Sequence, residues 1–191
     1  MIELHLVRHT VVASCWEGRC YGQSDAGLSR DGRIAARLLG QHLARLNPDR
    51  VFTSPLRRTR YLGQCVVRNL SDCALTIDPR LAECNFGAWE GRRWSEIYAE
   101  TGDAMMGMIE DPHSFRPGGH GETIFEVRDR AMGWLSEVAT HAERVVIAIG
   151  HGGPIAAIRG SMLGQSVREW PSLVPKPGEV VTIKIQREIT P

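Results

Sequence analysis

A chain of 191 residues with 42% hydrophobic and 24% charged side chains is sized for one ordinary globular domain. Its 23 basic and 22 acidic residues leave a net charge of +1, which gives no general attraction to nucleic acid or to an anionic membrane. No apolar run approaches the ~18 residues of a membrane helix, and Glu3, Arg8 and His9 do not suit a signal peptide.

In chain order, residues 2–7 form a β-like run that ends abruptly in Arg8, His9 and Thr10. From 28 to 46, Ile34, Leu38, Leu39, Leu43 and Leu46 recur at helical spacing, with Ser29 placed as N-cap and Asn47-Pro48 as the stop. Residues 50–54 read as a second strand, 56–70 as a second helix and 74–78 as a third strand closed by Pro79. Residues 83–121 are rich in Gly and Trp and weakly periodic, and read as an excursion, or lid, over the sheet. Thr123 and Glu126 are spaced as a capping box for a helix running to about His141. Residues 144–150 carry the strongest buried-strand signal, 153–163 a short helix with Pro154 in its first turn, and 179–185 a final strand. There is no internal repeat and no low-complexity linker.

Strands alternating with helices predict an α/β fold: a single domain whose central sheet is mostly parallel and flanked by helices on both faces. In such sheets ligands sit beyond the carboxyl ends of the strands. Taken alone, Arg8-His9 is a strand reaching solvent, where any polar residue serves. The other strand ends change that reading. The second strand delivers Arg57, Arg58 and Arg60, the third leads to Glu83, and 144–150 delivers His151 in a glycine-rich turn.

Arginine forks match phosphate oxygens, and phosphoryl transfer is catalysed mainly by positioning and electrostatics. A neutral imidazole is a competent nucleophile near neutral pH, a second one can hydrogen-bond the transferred group, and a carboxyl can protonate the leaving oxygen. A metal site is the rival use of His9 and His151, but it needs carboxylates near both, and the adjacent arginines repel a cation. No metal and no cofactor is expected; no Walker loop and no G-x-G-x-x-G follows a strand. His5, His42, His113 and His141 read as packing or surface residues, while His120, in "RPGGHGET", is placed where it can overhang the rim. The five tryptophans read as core or lid packing. The five cysteines are odd in number and show no C-x-x-C pair and no zinc-type spacing, so unpaired thiols in a reducing cytoplasm are expected.

At these residues the chain resembles the histidine phosphatase superfamily, the phosphoglycerate-mutase-like proteins, over nearly its whole length. "LVRHT" is similar to the family's L-x-R-H-G motif, which implies that His9 is the phosphorylated nucleophile and Arg8 a phosphate ligand. "FTSPLRRTR" is similar to S-x-L-x-R-A, which implies Arg58 as the second phosphate arginine and leaves Arg57 on the variable position. "AECNFGAWEG" implies Glu83 as the acid, a role that needs burial or a second carboxylate nearby, and "IGHGG" implies His151 as the second histidine. "GRCYGQSDAGLSRDG", "NFGAWEGRRWSEI" and "GGHGET" resemble the α-ribazole phosphatase branch, which removes phosphate from α-ribazole 5′-phosphate in building the cobalamin nucleotide loop. Thr10 and Val11 stand where the family has glycine and an acidic or amide residue, and Ser14 or Cys15 lies nearest the family's phosphate-contacting asparagine. Thr10 is expected to offer its hydroxyl or backbone N–H to phosphate.

The resemblance implies a metal-independent phosphomonoesterase acting on a small phosphorylated metabolite, as a monomer or homodimer. Tyr21, Gln23 and Arg116 are candidates for the leaving-group pocket. The alternatives are a broad sugar-phosphate or phosphoprotein phosphatase, a phosphoglycerate mutase, and a phosphate-ester-binding module without turnover.

Overall fold

The computed structural model describes residues 1–140 and 142–186. Five strands, β1 (Ile2–Arg8), β2 (Arg50–Thr53), β3 (Leu75–Ile77), β4 (Val145–Gly150) and β5 (Val180–Ile185), form one sheet in the order β3-β2-β4-β1-β5. The neighbours from β3 to β1 run parallel, and β5 joins β1 antiparallel. Six α-helices are described: α1 (Arg30–Ala44), α2 (Arg57–Val67), α3 (Trp94–Thr101), α4 (Gly107–Glu110), α5 (Ile124–Thr140) and α6 (Gly152–Met162). The expected fold class is the observed one. The strands and main helices fall within a few residues of their predicted bounds; the last predicted position of α5, His141, lies outside the described residues.

Strand alternation divides the core into two layers. Ile2, Leu4 and Leu6 of β1 and Val146 and Ala148 of β4 pack with Ala131, Trp134 and Leu135 of α5 and Ile155 and Ile158 of α6. Val7 of β1 and Ile147 and Ile149 of β4 turn to the opposite face, against Ala36 and Leu43 of α1 and Leu62 and Val66 of α2. Covering both faces is what allows β4 to be apolar at every position.

α1 begins as expected, with the Ser29 hydroxyl accepting from Gly32 N–H at 2.8 Å. Its buried face takes in only part of the stripe its large apolar residues mark: Leu43 is fully buried and Leu39 and Leu46 pack against the same core. Ile34 and Leu38 are 41% and 63% exposed, while Gly32, Ala36, Gly40, Leu43 and Ala44 turn inward. Close approach to α2 decides this: a Cβ on Gly40 would lie 2.7 Å from the Cys65 backbone, so the contact accepts only small residues.

Within 83–121, α3 and α4 are joined by short 3-10 turns. α3 has a single buried residue, Ile97, which is why no apolar period announced it. None of the described helices is long and apolar enough to cross a membrane. All five cysteines are free; Cys20, Cys65 and Cys84 are buried, and burial pushes the Cys20 thiol up to about 12.

Candidate active site

The parallel register sets Arg8 opposite Gly150 and Thr53 opposite Ile149, so β1, β2 and β4 end at one level. From that edge emerge His9, Ser54 and His151, all buried, and Arg58 rises from the first turn of α2 with no exposed surface. The His9 and His151 rings meet edge to face with centroids 5.2 Å apart.

The proton on His9 can be located from its partner. His9 Nδ1 lies 2.7 Å from the Thr10 carbonyl oxygen, which can only accept, so Nδ1 carries the hydrogen and Nε2 presents a lone pair. Burial, then the Arg58 guanidinium and, more weakly, Arg8, lower its pKa to about 3 against the favourable Thr10 bond. His151 is also held well below the usual histidine range, by burial and then by Arg58, His9, Arg130 and Arg8. Both imidazoles are therefore neutral at physiological pH.

Four buried polar atoms have no hydrogen-bond partner among the described residues and belong to this one cluster: Arg8 Nε, His9 Nε2, Arg58 Nε and His151 Nδ1. Buried donors and acceptors are nearly always satisfied. Three donors or acceptors and one nucleophilic lone pair left open together fit an anionic ligand. Among the described residues no group of three His, Cys, Asp or Glu is arranged to hold a metal ion.

The opposite end of each group is fastened. Arg8 Nη1 donates to Pro175 O at 2.8 Å, and Arg58 donates to Ser24 O at 2.8 Å and to Gly22 O at 2.5 Å. His151 Nε2 lies 2.7 Å from Ser54 Oγ, which is 2.8 Å from Thr59 Oγ1, whose hydroxyl donates to Leu56 O at 2.7 Å. Glu83 Oε1 accepts from Cys84 N–H and from Gly153 N–H, in the first turn of α6, at 3.0 and 3.1 Å; Oε2 takes no part in either bond. Arg130 holds the Glu83 segment in place by donating to Arg80 O, Ala82 O and Glu83 O, and its Nε pairs with Glu122 at 2.7 Å.

Of the other sequence candidates, Tyr21 stands beside the cluster, its ring 6.5 Å from that of His9 and 5.1 Å from the Arg58 guanidinium carbon. The other three are committed elsewhere. The Thr10 hydroxyl donates to Gly32 O at 2.7 Å, tying the first loop to α1 instead of facing a ligand. Gln23 Nε2 donates to Glu83 O and Glu122 Oε2 at 2.9 and 3.2 Å, so it braces the loop that carries Glu83. Arg116 pairs with Glu126 at 2.6 Å and donates to Gly121 O, which keeps it out of the cavity beside the cluster. His120 is exposed and does not line that cavity.

The two stretches "CYGQSD" and "NFGAWEG" interlock. One Glu90 carboxylate accepts from Gln23 N–H, Ser24 N–H, the Ser24 hydroxyl and Phe86 N–H at 2.7–3.2 Å. The carbonyls of Gly22 and Ser24 are the ones that hold Arg58, so Glu90 builds the seat of that guanidinium. Sequence reasoning missed Glu90, Arg130, Ser54 and Thr59, because each acts on a partner distant in the chain or through a generic hydroxyl. A cavity of about 400 Å³ meets the cluster at Arg8, Glu83, Gly152 and Gly153. Met105, Met106, Met108 and Trp170 are among its walls, and no sequence pattern marks them for that place.

The neutral state of the histidines has a measurable consequence. The unfolded chain protonates His9 near its ordinary 6.5, whereas the folded chain resists until about 3, so between these values the unfolded state binds more protons. This contribution to stability is present above pH 6.5 and is lost as pH falls toward 3, by about 1.4 kcal/mol per pH unit for each such histidine. Denaturant midpoints measured from pH 8 to 5 are expected to fall, and to fall less steeply in His9→Ala; parallel curves would refute the neutral assignment.

What this edge of the sheet can do is hold an anion against an uncharged nitrogen nucleophile, which marks the molecule as an α/β protein that handles phosphoryl groups. The chain belongs to the histidine phosphatase superfamily (branch 1), whose family model matches residues 4–189. It is 32% identical to phosphoserine phosphatase 1 of Hydrogenobacter thermophilus over 167 residues, covering 86% of this chain and 77% of that protein. It is 32% identical to the glucosyl-3-phosphoglycerate phosphatase of Mycolicibacterium vanbaalenii over 179 residues, covering 89% and 78%. The crystal structure of the α-ribazole phosphatase from Shigella flexneri superposes with a TM-score of 0.84, covering 98% of this chain and 93% of that one, at 20% identity, a likeness of fold alone.

Proposed function

We propose that this chain is a phosphomonoesterase that works through phospho-His9 and that its substrate is α-ribazole 5′-phosphate, with residues 83–121 as the cover of the rim. The observation that carries the catalytic half is the open Nε2 lone pair of His9 among three other open polar atoms. In the first step Nε2 attacks phosphorus, the P–O bond to the alcohol breaks, and the Glu83 carboxyl gives its proton to the leaving oxygen. Positive charge develops on the ring and is met by the Thr10 carbonyl at Nδ1. Arg8, Arg58 and His151 hold the phosphoryl oxygens. In the second step Glu83 takes a proton from water, water attacks phosphorus, the P–N bond breaks, and phosphate and neutral His9 are regenerated.

The substrate half rests on the resemblance of "GRCYGQSDAGLSRDG" and "NFGAWEGRRWSEI" to the α-ribazole branch. The second reading, a phosphoserine or glucosyl-3-phosphoglycerate phosphatase, is favoured by the two 32% identical relatives. The test is release of inorganic phosphate from each of the three esters, with acid-labile phosphohistidine assayed after a rapid quench. Preferred turnover of α-ribazole 5′-phosphate is expected. Turnover of another ester with α-ribazole 5′-phosphate untouched overturns the substrate half alone. Binding without phosphate release or phosphohistidine overturns the whole reading and leaves a binding module, and dependence on a bisphosphate primer would mark a mutase.

A further inference from the structure

The cavity beside the cluster carries information that the catalytic groups do not. Its walls are Met105, Met106, Met108, Ile109, Ile124 and Trp170, from the turn before α4, α4 itself, the start of α5 and the segment after α6. The charged side chains that line it, Arg8 and Glu83, are the ones it shares, with Gly152 and Gly153, with the cluster at the sheet edge. Its volume of about 400 Å³ is that of a small-molecule site. We propose that this groove receives the alcohol portion of the phosphate ester, and that it selects alcohols carrying a flat, uncharged apolar body within reach of the phosphate. This rests on the phosphohistidine reading above.

Continuity fixes the occupant. A phosphoryl group held by Arg8 beside Glu83 has its ester oxygen directed to the carboxyl that protonates it, and those same two residues line the groove. The carbon skeleton attached to the ester oxygen must then enter the groove. Phosphoserine would bring an ammonium and a carboxylate, and glucosyl-3-phosphoglycerate a carboxylate and a set of hydroxyls. Neither Arg8 nor Glu83 is spare to meet them, and a charge buried without a partner is strongly disfavoured. The groove therefore discriminates against the substrates named for the two 32% identical relatives. Methionine suits the role: an unbranched thioether adapts to a flat ring and makes favourable sulfur–aromatic contacts. Met105 and Met106 are 40% and 41% exposed, a considerable apolar surface to leave beside a polar rim. α-Ribazole 5′-phosphate, a primary phosphate ester bearing a dimethylbenzimidazole, belongs to the class; so does 2-(1-naphthyl)ethyl phosphate, which shares no biological origin with it.

The experiment compares primary alkyl esters, so that leaving-group basicity is nearly constant. For the unaltered protein, kcat/KM for 2-(1-naphthyl)ethyl phosphate is expected to exceed that for phosphoserine by about a hundredfold or more. Met105→Gln and Met106→Gln, uncharged changes at part-exposed positions, are expected to cut the naphthylethyl rate about tenfold more than the rate for ethyl phosphate, which is too small to fill the groove. Equal or faster turnover of phosphoserine or glucosyl-3-phosphoglycerate overturns the inference, as does equal slowing of the naphthylethyl and ethyl esters in the glutamine variants. Phosphorylation by acetyl phosphate, which needs no groove, separates the two levels. A labelled His9 without apolar preference sinks the groove alone, whereas no labelling sinks the phosphohistidine reading itself.

Discussion

His9→Ala is expected to lose both turnover and covalent phosphoryl labelling, with kcat down by about 10⁴-fold or more and the fold retained. Two features of the site make the loss so complete. His9 Nε2 is an oriented lone pair, because Nδ1–H is spent on the Thr10 carbonyl at 2.7 Å. His151 is held differently: its Nε2 is tied to Ser54 at 2.7 Å, and its ring stands edge to face with that of His9. His151→Ala is expected to slow phosphorylation and still yield labelled protein, since in the proposed mechanism it removes a ligand of the phosphoryl oxygens and leaves the nucleophile. Rapid quench with mass spectrometry of the intact chain distinguishes the two variants. Normal labelling of His9→Ala, or a phosphoryl group found on His151 in the unaltered protein, would overturn the assignment. The fold should survive because the substitution breaks a single hydrogen bond, Nδ1–H to the Thr10 carbonyl, and Nε2 has no partner to lose. Above pH 6.5 the variant loses the contacts of the neutral ring, and below it the variant gains relative to the unaltered chain.

Much of this arrangement can be read from the amino-acid order, and the reasons are specific. β1 and β4 are legible because both faces of the sheet are covered, which demands apolar residues at nearly every position. A charged or titratable residue that ends such a run then stands out, as Arg8, His9 and His151 do. α1 shows where such legibility stops. Leu39, Leu43 and Leu46 of its apolar stripe reach the core, but Ile34 and Leu38 stay exposed, and the close approach to α2 is set by Gly40 against the Cys65 backbone. Thr10 shows another limit. Its hydroxyl is a candidate phosphate donor by sequence position, but the Gly32 carbonyl lies 2.7 Å away across a loop closure of 22 residues, a neighbour that no local pattern announces. Gln23 and Arg116 obey the same logic, each taken by a backbone carbonyl and a carboxylate. The groove stays hidden in the sequence because 83–121 is only weakly periodic, and nothing in it brings Met105, Met106 and Met108 to the cavity that Glu83 lines until the turns around α4 are in place.

Arg58→Met is expected to damage both activity and stability, and the comparison with its neighbour isolates why. Methionine keeps much of the apolar stem and removes the guanidinium, which has no exposed surface. Two effects then combine. The open Nε, one of the preorganised donors, is lost from the phosphoryl site, which costs about 10²–10³ in kcat for a single donor and more when a formal charge goes with it. The carbonyls of Gly22 and Ser24 also lose their donors at 2.5 and 2.8 Å, and the buried Gly22 acceptor left unsatisfied costs about 1–3 kcal/mol. Because those carbonyls belong to the loop that Glu90 gathers, the damage is expected to spread to Gln23 and through it to the backbone of Glu83. Arg58→Lys should rescue little, since an ammonium cannot span two carbonyls and a phosphoryl oxygen with the geometry of a planar fork. Arg57→Ala is the matched control. Its side chain is 66% exposed and lies 4.0 Å from Asp25, a pair worth almost nothing in water. Turnover of that variant is expected within about twofold of the unaltered chain. Steady-state kinetics with denaturant unfolding of all three variants decides the matter: comparable losses in Arg57→Ala and Arg58→Met would mean that general positive charge, and not the seated guanidinium, supports the reaction.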